Sequence, residues 1–216
     1  MSLMQDRYWE HVRYKEAAPT ARYIEISPTW RDELPRRVGA SGQLIRTTLA
    51  DARTILDVGA GNRAYQGVFR NLGLTGEYRS ADVDRTHQHH DYTDFLSITD
   101  RFDAIVMFEL IEHLPLDVGV TFLEHARRLI QPAGVLMLST PNPHHPNHVW
   151  RVEVTHIRPW PMADLYGVLR LVGFDEVQLC RQYLGSWKRR LAVPLTKALY
   201  RFMELDHAQT ILAIAR

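Results

Sequence analysis

The stretch ILDVGAGNRAYQ, residues 55–66, joins an apolar run to an aspartate, two glycines one residue apart, and a helix-like segment. RTILDV (53–58) reads as a β-strand and AYQGVFRNLG (64–73) as a helix. Gly59 and Gly61 lie between them, where the missing Cβ atoms permit a tight turn and close approach of a ligand to the backbone. The helix start at residues 62–64 offers unpaired N–H groups that favour a negatively charged ligand group. Further along, EYRSADVD (77–84), FDAIVMF (102–108), AGVLMLST (133–140), FDEVQLCRQY (174–183) and QTILAIAR (209–216) read as strands, with a weak one near 90–92. Helical patterns over DVGVTFLEHARRLIQ (117–131) and PMADLYGVLRLVGF (161–174) separate them. Such alternation predicts a parallel sheet covered on both faces, a doubly wound α/β fold. Residues 1–50 read as helical and polar, broken near Pro19, Pro28 and Pro35.

The chain of 216 residues suits one well-buried domain. Its 45% apolar and 24% charged residues are ordinary for a globular protein. A formal net charge of +1 gives no electrostatic reason to expect nucleic acid. The single cysteine, Cys180, excludes an internal disulfide and fits a cytoplasmic location. The opening MSLMQDRYWEHVRYKE has charges where a signal peptide needs an apolar core, and no later run is long enough to span a bilayer.

In a doubly wound sheet, ligands bind beyond the carboxyl ends of the strands, where the strand order reverses. Asp82 closes the second strand, near the ~20-residue offset expected of an acid that grips ribose hydroxyls; Asp84 shares its face. GAGNRA also satisfies a dinucleotide fingerprint, which leaves an NAD(P)-dependent oxidoreductase open. Asp57 argues the other way, because a carboxylate near the loop would repel a pyrophosphate but could face an ammonium group.

Several segments together resemble the class I S-adenosylmethionine-dependent methyltransferases. ILDVGAG resembles their first motif, YRSADVD their second-strand motif and DYTDF (91–95) their third-strand segment. FDAIVMFELIEHLP (102–115) and AGVLMLSTPNP (133–143) are similar to the fourth- and fifth-strand motifs. The resemblance covers residues 45–216 and implies a seven-stranded, mostly parallel Rossmann-like sheet with an antiparallel last strand, residues 1–44 forming a helical cap or lid. Within the family, a subset that methylates small molecules of bacterial glycan or natural-product pathways is most similar. The cofactor implied is S-adenosylmethionine, held by Asp57, Gly59, Ala60, Gly61 and Asn62, by Asp82 and Val83, and by Phe108 and Glu109. Asp91 would reach the adenine amino group, and Tyr92 would lie against the ring. A protein that binds the cofactor without transferring methyl remains an alternative.

Arg63 stands where many members have a third glycine, and it is expected to point outward, the alternative being a salt bridge to the methionine carboxylate. His113 is the candidate base for a hydroxyl acceptor, with Glu112 read as structural. Asn142, His144, His156 and Arg158 are candidate acceptor contacts, with Trp160 nearby, the acceptor being a small molecule, possibly a sugar or lipid-linked glycan. The cluster His144, His145, His148, Glu153 and His156 fits no strong metal spacing, so no metal is expected. The basic stretch GSWKRRLAVPLTKALYRFM (185–203) could make weak contact with an anionic membrane surface. Tyr8, Trp9 and Tyr14 could cover the acceptor side as a lid, or simply pack.

Overall fold

The computed structural model describes residues 3–18, 24–26, 40–84, 90–145, 153–182, 198–199, 202–203, 206 and 208–216. Seven strands form one sheet: β1 (Ile24–Ile26), β2 (Thr54–Val58), β3 (Glu77–Ala81), β4 (Phe102–Phe108), β5 (Ile130–Pro141), β6 (Val177–Gln182) and β7 (Thr210–Ala215). Their spatial order is β1-β6-β7-β5-β4-β2-β3. The pairs β1/β6, β2/β3, β2/β4 and β4/β5 are parallel, whereas β7 runs antiparallel to both β5 and β6. The expected antiparallel last strand is therefore present.

Alternation along the strands sends side chains to two cores. Leu56, Val58, Ile105, Met107, Leu136 and Leu138 face helices α5 (Leu116–Leu129) and α6 (Met162–Leu171). Ile55, Ala104, Val106, Val135 and Met137 face α3 (Ala40–Leu49) and α4 (Ala64–Asn71). Each helix turns an apolar stripe inward: Leu123 and Ala126 from α5, Leu165 and Leu169 from α6, Ile45 and Leu49 from α3, Phe69 from α4. Because the central strands are covered on both faces, they read in sequence as nearly unbroken apolar runs.

Two elements differ from the sequence reading. Residues 24–26, expected in a helical region, form β1 against β6. Ile-Glu-Ile carries the alternation of a strand, and pairing with an open sheet edge outweighs the helical character of its surroundings. The weak strand near 90–92 is reduced to a single bridge between Ala81 and Tyr92. The chain then enters a one-turn 3-10 helix, Phe95–Ser97, whose start is capped by the Asp94 carboxylate accepting from Leu96 N.

Of the N-terminal helices α1 (Leu3–Asp6) and α2 (Tyr8–Glu16), α2 lies along α6 while α1 touches α5. Arg7 donates to the Leu171 carbonyl, His11 sits over Gly167, and Lys15 pairs with Asp164, so α2 runs antiparallel to α6. The end of α6 precedes β6 and thus lies opposite the carboxyl ends of the parallel strands. Tyr8 and Trp9 are exposed at that remote end and do not cover the acceptor side as expected. The basic segment 183–197 lies outside the described residues, as do His148 and residues 85–89; no helix among those described is long and apolar enough to cross a membrane.

The wholly buried Leu123 joins α5 to the sheet. Leu123→Ala should lower unfolding free energy by about 2–5 kcal/mol, read by urea denaturation.

Candidate active site

After β2 the chain passes to β3 on one side and then to β4 on the other, so strand order reverses between β2 and β4. That reversal opens a crevice at the carboxyl ends, and the glycine turn stands beside it. Gly59 has φ +75° and donates to the Ala81 carbonyl at 2.8 Å. A Cβ there would come within 2.8 Å of Leu110, the residue two places after β4. Gly59 therefore allows both the left-handed turn and the contact between the β2 and β4 ends. Gly61, at φ +48°, has open space where its Cβ would be, so its requirement is conformational. Ala60 N also turns toward the Ala81 carbonyl, and Asn62 accepts from Ala64 N to start α4.

Asp82 sits just beyond β3, which ends at Ala81 rather than continuing to residue 84. One of its carboxylate oxygens accepts from Gly61 N at 2.7 Å and the other from Asp84 N at 2.8 Å. The acid thus already touches the glycine turn. Beside it, Val83 is 81% exposed, an apolar side chain left bare at the crevice.

Under the turn lies a polar network. Asp57 is buried and accepts from the Tyr78 hydroxyl at 2.6 Å. Burial pushes its carboxyl up to about 7, against the Tyr78 hydrogen bond and with help from the nearby Asp82 charge. Arg63 does not point outward. Its guanidinium lies 5.4 Å from the Tyr78 ring centre and 3.7 Å from Asp91, drawn in by those acids and the ring face. Asp91 accepts from Ser80 N and Oγ and from Arg79. Burial acts to raise Asp91, but these donors and Arg63 outweigh it and hold the carboxylate below its usual range. Asp91 is thus committed to bracing β3. Tyr92 also departs from its expected place: its ring stands edge-on to Phe102, at the start of β4, and its hydroxyl donates to Asp100. It points away from the crevice.

The turn after β4 carries the second half of the site. Phe108 packs against Tyr65 with ring centres 4.6 Å apart. Glu109 takes a left-handed φ of +52°, its N–H directed at Ser139 and its carboxylate accepting from Ser139 Oγ at 2.6 Å. A one-turn 3-10 helix, Ile111–His113, follows. Its carbonyls are occupied by the segment 155–160: Ile111 O accepts from Trp160 Nε1, and Glu112 O from Ile157 N and Arg158 N. His113 Nδ1 lies 3.2 Å from the Thr155 carbonyl, which can only accept, so Nδ1 donates and in the neutral ring Nε2 holds the lone pair. These contacts bring the His156 ring to 4.7 Å from that of His113. Glu153 stands 3.4 Å from His156 Nε2. Arg158 is exposed, and Trp160, expected near the acceptor, is buried over Gly119 instead.

Glu112 is 1% exposed, and burial first, then the Glu109 charge, push its carboxyl up to about 8. Thr140 Oγ1 donates to one oxygen; among the described residues the other has no partner. In sequence Glu112 reads as structural, although an acid four residues past a central strand in the mostly apolar run FELIEHLP is a legible signal. Asn142 is a correction. It is wholly buried, donates to the Ala208 carbonyl and accepts from His144 N, tying the end of β5 to the chain entering β7. It has no surface for an acceptor. His144 is exposed and its carbonyl accepts from Asp206 N. Cys180 is buried, which pushes its thiol up to about 12 and makes it a poor nucleophile.

Folding raises Asp57 from 3.8 to about 7, so between these values the native state holds a proton that the unfolded chain has lost. Stability should therefore fall as pH rises through this window. Asp57→Asn should flatten the fall by at most about 1.4 kcal/mol per pH unit, measured by urea denaturation at pH 5 and pH 8.

A family profile described as a methyltransferase domain matches residues 9–179, well over half of the chain. No curated protein sequence matches it. Among solved structures, a S-adenosylmethionine-dependent methyltransferase from Archaeoglobus fulgidus is 18% identical with a TM-score of 0.62, covering 81% of this chain and 93% of that one. An O-methyltransferase family protein from Burkholderia thailandensis is 15% identical with a TM-score of 0.56, covering 82% and 55%. A chain of an RNA repair complex is 16% identical with a TM-score of 0.54, covering 81% and 40%. At such identities the likeness is one of fold, while the profile carries the family. The chain belongs to the methyltransferase-domain family and is a class I S-adenosylmethionine-dependent methyltransferase.

Proposed function

We propose that this methyltransferase acts on a hydroxyl of a small-molecule acceptor. The observation that supports the reading best is the lone pair on His113 Nε2, fixed by the Thr155 carbonyl, in the turn that leads from β4. Transfer from a sulfonium needs alignment of methyl and nucleophile, worth on the order of 7–11 kcal/mol. A hydroxyl must also lose its proton, for which a placed base gives about 10²–10⁴-fold. In this reading Gly59, Ala60, Gly61 and Asn62 carry the methionine end of the cofactor. Asp82 turns its carboxylate from the Gly61 and Asp84 amides to the ribose, and Val83 lies along the adenine. Asp57 braces the glycine turn from below. Phe108 and Glu109 border the cofactor, and His156, Arg158 and His144 line the acceptor side. The catalytic unit is residues 45–216, and residues 1–44 form an accessory segment whose helix α2 braces α6.

The test is calorimetric titration with S-adenosylhomocysteine, followed by methyl transfer from labelled cofactor onto sugars, phenols, amines and a short RNA. Asp82→Ala should weaken S-adenosylhomocysteine at least about tenfold, the loss of a hydrogen-bonded charge being worth roughly 1.5–3 kcal/mol. Gly59→Ala, which meets Leu110, should abolish measurable binding. Methylation confined to amines or to RNA would overturn the acceptor reading while leaving the cofactor assignment intact.

A further inference from the structure

We propose that Glu112, His113 and His156 form a binding site for one divalent first-row metal ion on the acceptor side of the crevice. One ligand atom from each residue lies within 4.8 Å of the other two. Around a tetrahedral ion at about 2.1 Å the ligands stand roughly 3.4 Å apart. Side-chain adjustments of under about an ångström would close the set. Two imidazoles and one carboxylate make a mixed nitrogen and oxygen set suited to zinc, cobalt or manganese, with positions left over for the oxygen of an acceptor.

Two independent features support it. The second oxygen of Glu112 is buried without a partner among the described residues, an arrangement a bound cation would relieve. Ligating histidines usually give their other ring nitrogen to a carbonyl or carboxylate, which orients the ring. His113 has this arrangement with the Thr155 carbonyl, and Glu153 stands beside His156. The His156 segment is also held by hydrogen bonds to the Glu112 and Ile111 carbonyls, so the set is assembled before any ion arrives.

The ion alters the acceptor chemistry proposed above. His113 Nε2 cannot give one lone pair to both a proton and a cation, so the base role proposed above belongs to the metal-free chain and passes to the ion when it is bound. The cation would hold the acceptor hydroxyl and make it more acidic. Its proton passes to water, its oxygen bonds to the methyl carbon as the carbon–sulfur bond breaks, and S-adenosylhomocysteine leaves. Binding of the ion itself does not rest on the methyl-transfer reading.

The full chain, stripped with chelator, is titrated with Co²⁺ and followed by visible absorption, with S-adenosylhomocysteine calorimetry on the same samples. The expected result is one Co²⁺ per chain, displaced by Zn²⁺. His156→Ala and Glu112→Gln should each weaken the metal by at least the roughly 10–100-fold that even an outer partner commands, with S-adenosylhomocysteine affinity unchanged. His156 lies outside the sheet, so its variant keeps the test valid if Glu112→Gln fails to fold. Failure to bind Co²⁺, or binding that none of these substitutions changes, would overturn the site whatever the cofactor titration shows. Methyl transfer by the loaded chain no faster than by the stripped chain would overturn the ion's part in the acceptor chemistry and leave the base role with His113.

Discussion

Much of this structure depends on the join between Gly59 and its neighbours. Its amide is bonded to the end of β3, and its bare α-carbon faces Leu110 beyond β4. Three strand ends are thereby drawn together, and the crevice at the strand reversal takes its width from that contact. Any side chain at position 59 would push Leu110 outward and shift the turn carrying Glu112 and His113. The cofactor side and the acceptor side of the site are thus mechanically one piece.

The two buried acids show how differently a carboxyl can be used. Asp57 sits in a network with Tyr78, Arg63, Asp91 and Ser80, where hydroxyls and a guanidinium answer the charges. Its role is to support the turn above it. Glu112 has one hydroxyl donor and two neighbouring carboxylates, a setting that resists a negative charge. A buried polar atom without a partner costs about 1–3 kcal/mol, and such a cost is seldom borne where the chain has no use for the group. Asp57 is therefore held in place by what surrounds it, whereas Glu112 is held ready.

The central strands were legible because burial on both faces leaves unbroken apolar runs, as in FDAIVMF and AGVLMLST. The glycine turn and Asp82 were legible because conformation and spacing restrict those positions to few residue types. Local pattern failed where the outcome depended on partners remote in sequence. Ile24–Ile26 became a strand only because β6 offers an open edge. Tyr92 turned toward Phe102 and Asp100, and Asn142 was claimed by the Ala208 carbonyl. Arg63 was drawn in by Asp91, which the chain reaches only after β2 and β3. The nearness of His156 to His113 had no sequence signal, since it arises from hydrogen bonds to the bare carbonyls of a 3-10 turn.

The place of β7 carries a consequence for how the molecule is made. This strand lies between β5 and β6, and β1 reaches the sheet only through β6. On a ribosome, the half of the sheet from β3 to β5 can assemble while later residues are still being added. Strands β1 and β6 must wait until residues 210–215 emerge to bridge the gap. Strands far apart in sequence, β1 and β7, thus enter the fold together, and until then β5 presents an unpaired edge that a nascent chain must keep from its neighbours.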